Sequence, residues 1–240
     1  MRPQVLFFDI LGSVVDWRGS IAAEVAGFFA RHEIMGIDAA AFADDWVGRY
    51  DNAIEPVRAG TRGFVTLDTI NRETLEACLA AHGLAASAFT PGDLADLNAG
   101  WHRLKPWPDA VEVIARLKRD FIVAPLSDGN TRLLVDIARM SGIGFDTIFG
   151  ADVTRAYKPM PEVYRVACAL LGVAPGEAML VAAHPYDLAA ARACGLATAY
   201  IARDRAAADP SKPVDPQAAE VWDMVADSLT DLADQFARQG

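Results

Sequence analysis

Four consecutive apolar residues, Val5-Leu6-Phe7-Phe8, end in the carboxylate of Asp9 and are followed by Ile10-Leu11-Gly12-Ser13. So short a continuous apolar run predicts a strand covered on both faces, because a half-solvated strand would alternate apolar and polar residues. Strands covered on both faces belong to parallel sheets, whose connections must cross over through helices. In open sheets of that kind ligands bind just beyond the carboxyl ends of the strands. Asp9 falls at that edge, where a carboxylate can serve as a nucleophile or as a metal ligand.

The next strand signal is far away. From Asp16 to Leu104 the pattern is helical, with amphipathic stretches over 21–32, 39–50, 67–82 and about 91–104. In the second of these, Phe42, Trp46 and Tyr50 recur every four residues. Strand signals return at Phe121–Leu126, followed by a helix over 132–140 and a short strand at 145–149. Pro161 opens a helix to Leu171, a favourable first-turn position for proline. A strand at 178–183, a helix at 187–194 ended by Gly195, a strand at 196–201, a polar loop from 203 to 217, a strand at 221–225 and a helix at 229–236 complete the chain. This alternation predicts an α/β fold, a doubly wound Rossmann-like parallel sheet. Residues 1–15 and 105–240 form the expected core, and 16–104 an inserted all-helical cap. Gly12 to Trp17 and Pro106-Trp107-Pro108 are the expected crossings between them.

Charge limits the partners. The chain carries a formal net charge of −10, which disfavours nucleic acid and anionic membranes. A small anionic substrate would need local positive charge in its pocket. Cys78, Cys168 and Cys194 are odd in number and lack metal-type spacing, so they read as buried free thiols of a cytoplasmic protein. No apolar run approaches the roughly 18 residues of a membrane span, and the first strand follows no signal-peptide pattern.

Loops after four strands carry the polar residues that could meet at one sheet edge: Asp9 with Ser13, Ser127 with Asp128, Lys158, and His184 with Asp187. Convergence of this kind at the ends of parallel strands is the usual construction of a catalytic site. In type and order these residues resemble the four motifs of the haloacid dehalogenase superfamily. The likeness extends over nearly the whole chain and is strongest to the 2-haloacid dehalogenase branch. It is carried by Val14-Val15-Asp16-Trp17-Arg18, Trp101-His102-Arg103-Leu104, Tyr157-Lys158-Pro159 with Pro161-Glu162-Val163-Tyr164, and Val181-Ala182-Ala183-His184 with Asp187-Leu188.

Most of that superfamily are phosphatases, and the residues distinguish the two chemistries. A phosphatase of the superfamily carries a second Asp two positions after the nucleophile as general acid, where this chain has Leu11. It also has a Gly-Asp pair that binds magnesium, where this chain has Ala182-Ala183. A hard cation needs oxygen ligands and an alanine methyl supplies none, so no metal and no cofactor is expected, although Asp9, Asp128 and Asp187 could collect an adventitious cation. Halide displacement needs no acid for its leaving group. By resemblance Asp9 is then the nucleophile that forms an ester, and Lys158 holds it ionised. Ser13 and Ser127 position carboxylates of the nucleophile and the substrate. Asp187 pairs with Lys158 and orients or activates water. His184, where relatives carry Asn, is a second base or a hydrogen-bond donor. A homodimer is also implied by the resemblance.

Two departures concern the leaving group. The branch has an Arg directly after a cap tryptophan, and here Trp46 is followed by Val47. Arg49 lies two positions on, about 200° round a helix, and replaces that Arg only if the helix is shifted. Arg58 and Arg62 are further candidates. Asp128 stands where the branch has Asn, and an ionised Asp repels a halide that an amide would bind. These losses keep open an altered, non-dehalogenating protein beside the phosphatase alternative. Phe42, Trp46, Tyr50, Trp101 and Trp107 could line a pocket, although residues at helical spacing more often form core.

Overall fold

The computed structural model describes residues 2–203 and 222–239. Five parallel strands form one sheet in the order β4-β1-β5-β6-β7: β1 Val5–Phe8, β4 Ile122–Pro125, β5 Ala178–Ala182, β6 Ala197–Ile201 and β7 Met224–Ala226. The first strand therefore sits inside the sheet, hydrogen-bonded to β4 on one side and β5 on the other. All four of its residues are fully buried, as a continuous apolar run requires. Leu6 and Phe8 join the core on one face, and Val5 and Phe7 join a separate core on the other. Helices α9 (Pro161–Leu171) and α10 (Pro185–Ala193) cover the second face. Helices α6 (Ala110–Leu117), α7 (Thr131–Ser141) and α11 (Leu229–Gln239) pack on the first, and the short α8 (Ala151–Thr154) lies between α7 and α9 in the chain. Chain order reverses at β1, so the switch point where such sheets bind ligands lies at Asp9.

Between β1 and β4 the chain leaves through β2 (Val15–Asp16) and returns through β3 (Lys105–Pro106), which pair antiparallel. Gly12 makes the exit turn with φ of 85°, a left-handed conformation that favours glycine. Trp107 fastens the two crossings: its backbone N–H donates to Val14 O at 2.9 Å and its indole N–H to Gly12 O at 3.1 Å. The pair of strands was not legible in the sequence, because two residues are too few to show a period. The helical block between them consists of α1 (Trp17–Arg31), α2 (Ala39–Gly48), α3 (Tyr50–Arg58), α4 (Leu67–Ala81), a 3₁₀ turn over Ala86–Ala88, α5 (Pro91–Asn98) and a 3₁₀ turn over Ala99–Arg103.

Several boundaries differ from expectation. The first cap helix begins at Trp17, because the Asp16 side chain accepts from Gly19 N and caps it. The helix expected over 39–50 ends at Gly48, where Arg49 N turns back to Trp46 O, and α3 continues to Arg58 with Pro56 inside it. The expected strand at 145–149 is only a single bridge from Phe149 to Leu126. Most of the loop expected over 203–217, and Val221 of the last strand, lie outside the described residues. Contacts from the block to the core include His102, whose ring nitrogens lie 3.0 Å from Asp68 of α4 and 2.9 Å from Asp136 of α7. Among the described residues no helix is long and apolar enough to cross a membrane.

Candidate active site

Asp9 leaves β1 with its backbone N–H still bonded to Val181 O of β5, so the sheet fixes its position. Ser13, four residues on, donates to Asp9 Oδ2 at 2.6 Å and accepts from the Ala183 N–H at 2.8 Å. One hydroxyl thus ties the ends of β1 and β5 together. Lys158 lies in the turn before α9. Its ammonium is 1% exposed and donates to Asp9 Oδ1 at 2.8 Å and to Asp187 Oδ2. Asp187 occupies the first turn of α10, where the helix dipole favours a carboxylate. It also accepts from the Tyr164 hydroxyl at 2.5 Å.

Burial pushes the Asp9 carboxyl up, but the Lys158 charge, with hydrogen bonds from Lys158 and Ser13, outweighs it and holds the group below the usual carboxylate range. Burial would likewise lower the Lys158 ammonium, yet the surrounding Asp187, Asp9 and Asp128 charges keep it raised and protonated. Asp187 is raised by burial and by the Asp9 charge despite Lys158. The pattern is one buried ammonium shared between two carboxylates.

Asp128 accepts from the Lys158 backbone N–H at 2.8 Å and from the Tyr50 hydroxyl at 2.7 Å. Burial pushes its carboxyl up to about 6 in spite of both bonds and the Lys158 charge. The Ser127 hydroxyl accepts from Gly129 N at 3.2 Å. His184 caps the start of α10, with Nε2 2.8 Å from Leu11 O and 3.5 Å from Asp9 Oδ2. A carbonyl only accepts, so Nε2 carries the proton.

A cavity of about 80 Å³ opens over Asp9. Asp9, Leu11, Ser127, Asp128, Lys158, His184 and Tyr186 form its core side; Trp17, Trp46, Val47, Tyr50, Leu67, Asn71 and Trp101 form its cap side. Neither Ser13 nor Asp187 is among the lining residues: both stand behind the residues they hold.

The arginines anticipated for the leaving group are elsewhere. Arg49 donates to Asp45 at 3.0 and 3.1 Å, outside the cavity, because the chain turns at that residue. Arg58 is taken up by Asp51 and by the Lys158 carbonyl, and Arg62 by Glu73. Trp46, Tyr50 and Trp101 do line the cavity, whereas Phe42 is buried in the block against Phe29 and His82, and Trp107 serves the crossing. Sequence reasoning missed Leu67, Asn71 and Tyr186. The signal for Asn71 is a polar residue on the buried stripe of α4, between Leu67 and Thr74.

A metal has poor prospects at Asp9, where the Lys158 ammonium occupies the space between two carboxylates. Asp45, Cys78 and His82 bring ligand atoms together on the outer side of the block. There Arg49 already neutralises Asp45, and burial pushes the Cys78 thiol up to about 12. Soft-metal binding needs the thiolate.

A family model described as haloacid dehalogenase-like hydrolase matches residues 3–195. The crystal structure of a defluorinating L-2-haloacid dehalogenase is 43% identical, with a TM-score of 0.91 over 98% of this chain and 95% of that one. An (S)-2-haloacid dehalogenase from Burkholderia cepacia is 33% identical over 144 residues, 57% of this chain. That match spans 62% of the relative's own length, just under two thirds of it. A phosphoglycolate phosphatase from Pseudomonas aeruginosa is 27% identical over 243 residues, 98% of this chain and 81% of its own. On the sheet order, the strand-end residues and the matched span, the chain belongs to the haloacid dehalogenase-like hydrolase family.

Proposed function

We propose that the protein is a hydrolytic dehalogenase of short 2-haloalkanoic acids that works through an ester at Asp9, with residues 16–104 acting as the cap. One observation carries the reading: a carboxylate paired with the Lys158 ammonium faces a cavity of about 80 Å³ beside Leu11, with no proton donor at that position. Attack by an Asp9 oxygen on the halogen-bearing carbon forms the C–O bond as the C–X pair leaves as halide, so no acid is required. Lys158, with Ser127 beside it, is the cation available to the substrate carboxylate.

Water then attacks the Asp9 carbonyl carbon. Lys158 Nζ and Ser13 Oγ already donate to its two oxygens, so they are placed to hold the negative charge of the tetrahedral state. His184, protonated on Nε2 toward Leu11 O, has Nδ1 as its remaining basic nitrogen; it takes the water's proton and returns it to the substrate oxygen as the acyl C–O bond breaks, releasing the 2-hydroxy acid and the Asp9 carboxylate. Asp187, enclosed between Lys158 and Tyr164, positions the ammonium.

Phosphatase chemistry is the competing reading, supported by the phosphatase relative. It is disfavoured because Leu11 and Ala183 leave neither an acid nor a magnesium ligand at the matching places. Halide release from chloro-, bromo- and fluoroacetate tests the proposal. Release that Asp9→Asn abolishes, with ¹⁸O from solvent entering Asp9 over many turnovers, is the expected result. Phosphate release from a generic phosphomonoester without any halide release sinks it.

A further inference from the structure

Two buried N–H groups on residues that line the cavity have no acceptor. Asn71 Nδ2 and Trp101 Nε1 are buried without a hydrogen-bond partner, on side chains only 5% and 4% exposed, and both residues line the cavity from the cap side. A buried donor left unpaired costs about 1–3 kcal/mol, so two beside one small cavity are a standing cost that a ligand acceptor would remove. The neighbouring indole shows the contrast: Trp46 Nε1 donates to Asn71 O at 2.9 Å and to Thr74 Oγ1 at 3.1 Å.

The Trp101 ring and the Asn71 backbone are held in place. The Trp101 ring is stacked on Trp17 at 6.5 Å and set edge-to-face against Trp46 at 5.5 Å. The Asn71 backbone is fixed within α4 and by the Trp46 bond. Their position follows the direction of the reaction. Displacement at carbon proceeds from behind, so a group attacked by Asp9 from the core side departs toward the cap. Among the described lining residues the cation is Lys158, which belongs to the core side and is engaged by Asp9 and Asp187. On the cap side Val47 offers no donor and the Tyr50 hydroxyl is committed to Asp128.

We propose that Asn71 and Trp101 form a neutral anion subsite that receives the leaving halide. The assignment rests on the dehalogenase reading for its ligand, but the subsite can be tested without turnover. Two N–H donors bind an anion without adding a charge, which suits a cavity that already contains the Asp9–Lys158–Asp187 cluster. The subsite lies on α4 and on the 3₁₀ turn, away from the position after Trp46 where the sequence has no arginine.

Chloride is the probe. ³⁵Cl line broadening measured on the Asp9→Asn protein, which cannot form the ester, gives chloride affinity directly. Adding Asn71→Leu or Trp101→Phe weakens it about tenfold each, the loss expected for one hydrogen bond to a charged acceptor. Trp101→Phe keeps the ring stacking, and Asn71→Ala substitutes for Asn71→Leu if the larger side chain perturbs folding. In the otherwise native enzyme the same changes lower kcat for chloroacetate more than for bromoacetate, because chloride is the poorer leaving group, whereas a merely structural defect lowers both alike. Chloride bound equally by folded variants, with an unchanged chloro-to-bromo ratio, overturns the subsite even if the enzyme dehalogenates. No detectable chloride binding to the Asp9→Asn protein overturns it as well. Chloride binding that depends on Asn71 and Trp101 in a protein that releases no halide leaves the subsite standing and removes the proposed activity.

Discussion

Replacing Asp128 by Asn should make the protein more stable, by an amount that depends on pH. Asp128 is 7% exposed, and burial raises its carboxyl from the ordinary 3.8 to about 6, although the Lys158 charge, the Lys158 N–H and the Tyr50 hydroxyl all pull the other way. Because the folded value is raised, the native state keeps a proton that the unfolded chain has already lost between about pH 4 and 6. Stability therefore falls as pH rises through that window, and the full penalty stands above it. A shift of about two units, at 1.36 kcal/mol each, makes the penalty roughly 3 kcal/mol at pH 8 and about 0.5 kcal/mol at pH 4. Asn has the same shape and no charge. Its Oδ1 can accept from Lys158 N, and its Nδ2 can donate to the Tyr50 oxygen once that hydroxyl turns. Urea unfolding of both proteins at pH 4, 6 and 8, followed by tryptophan fluorescence and taken as a difference, isolates this group from the other titrations. The variant should gain about 3 kcal/mol at pH 8 and little at pH 4. A pH-independent difference, or one that grows on acidification, refutes the argument that Asp128 is held as a reluctantly ionised buried acid.

Ser13→Ala leaves the Ala183 N–H without its acceptor and Asp9 with one donor fewer, so it should cost about 1–3 kcal/mol in urea unfolding and lower kcat, while Ser13→Thr restores both. Lys158→Met strands Asp9 and Asp187 as buried carboxylates. It should abolish halide release and cost about 3–5 kcal/mol at pH 8. Without the ammonium the Asp9 carboxyl moves from below its unfolded value to above it and Asp187, already raised, rises further, so the stability lost should partly return as pH is lowered to 5; a deficit constant over that range contradicts the pairing.

What the sequence discloses and what it hides follow from separate physical causes. Strand ends are legible because burial on both faces leaves a continuous apolar run, and the first polar residue after it marks the sheet edge. Asp9, Ser127 and His184 were visible in this way, and Lys158 through its place before a proline-started helix. Tyr50 was visible only as the third member of the series Phe42, Trp46, Tyr50. A four-residue spacing assigns a face only while the helix axis continues, and the turn at Arg49 breaks that continuity. Beyond it Phe42 remains in the block, whereas Tyr50 reaches across to Asp128. Asn71 and Trp101 were harder still. A lone Asn on an apolar stripe and a Trp in a helical pattern each look like ordinary packing, and their unpaired donors exist only once the surrounding atoms are in place.

Position 11 shows the division most sharply. As a side chain, Leu11 puts an apolar group where the phosphatases of the superfamily carry an acid, a difference readable only against that family's motif. As backbone, its carbonyl takes the His184 N–H at 2.8 Å and so decides which ring nitrogen is free to act as a base. On the proposed mechanism, the residue that lacks the acid of phosphoryl transfer also sets the tautomer that would serve ester hydrolysis. A change at position 11 that restores a carboxylate cannot by itself restore phosphatase chemistry. It would place another negative charge beside Asp9 and Asp128 around a single ammonium, with Ala183 still unable to supply the metal ligand that would balance it.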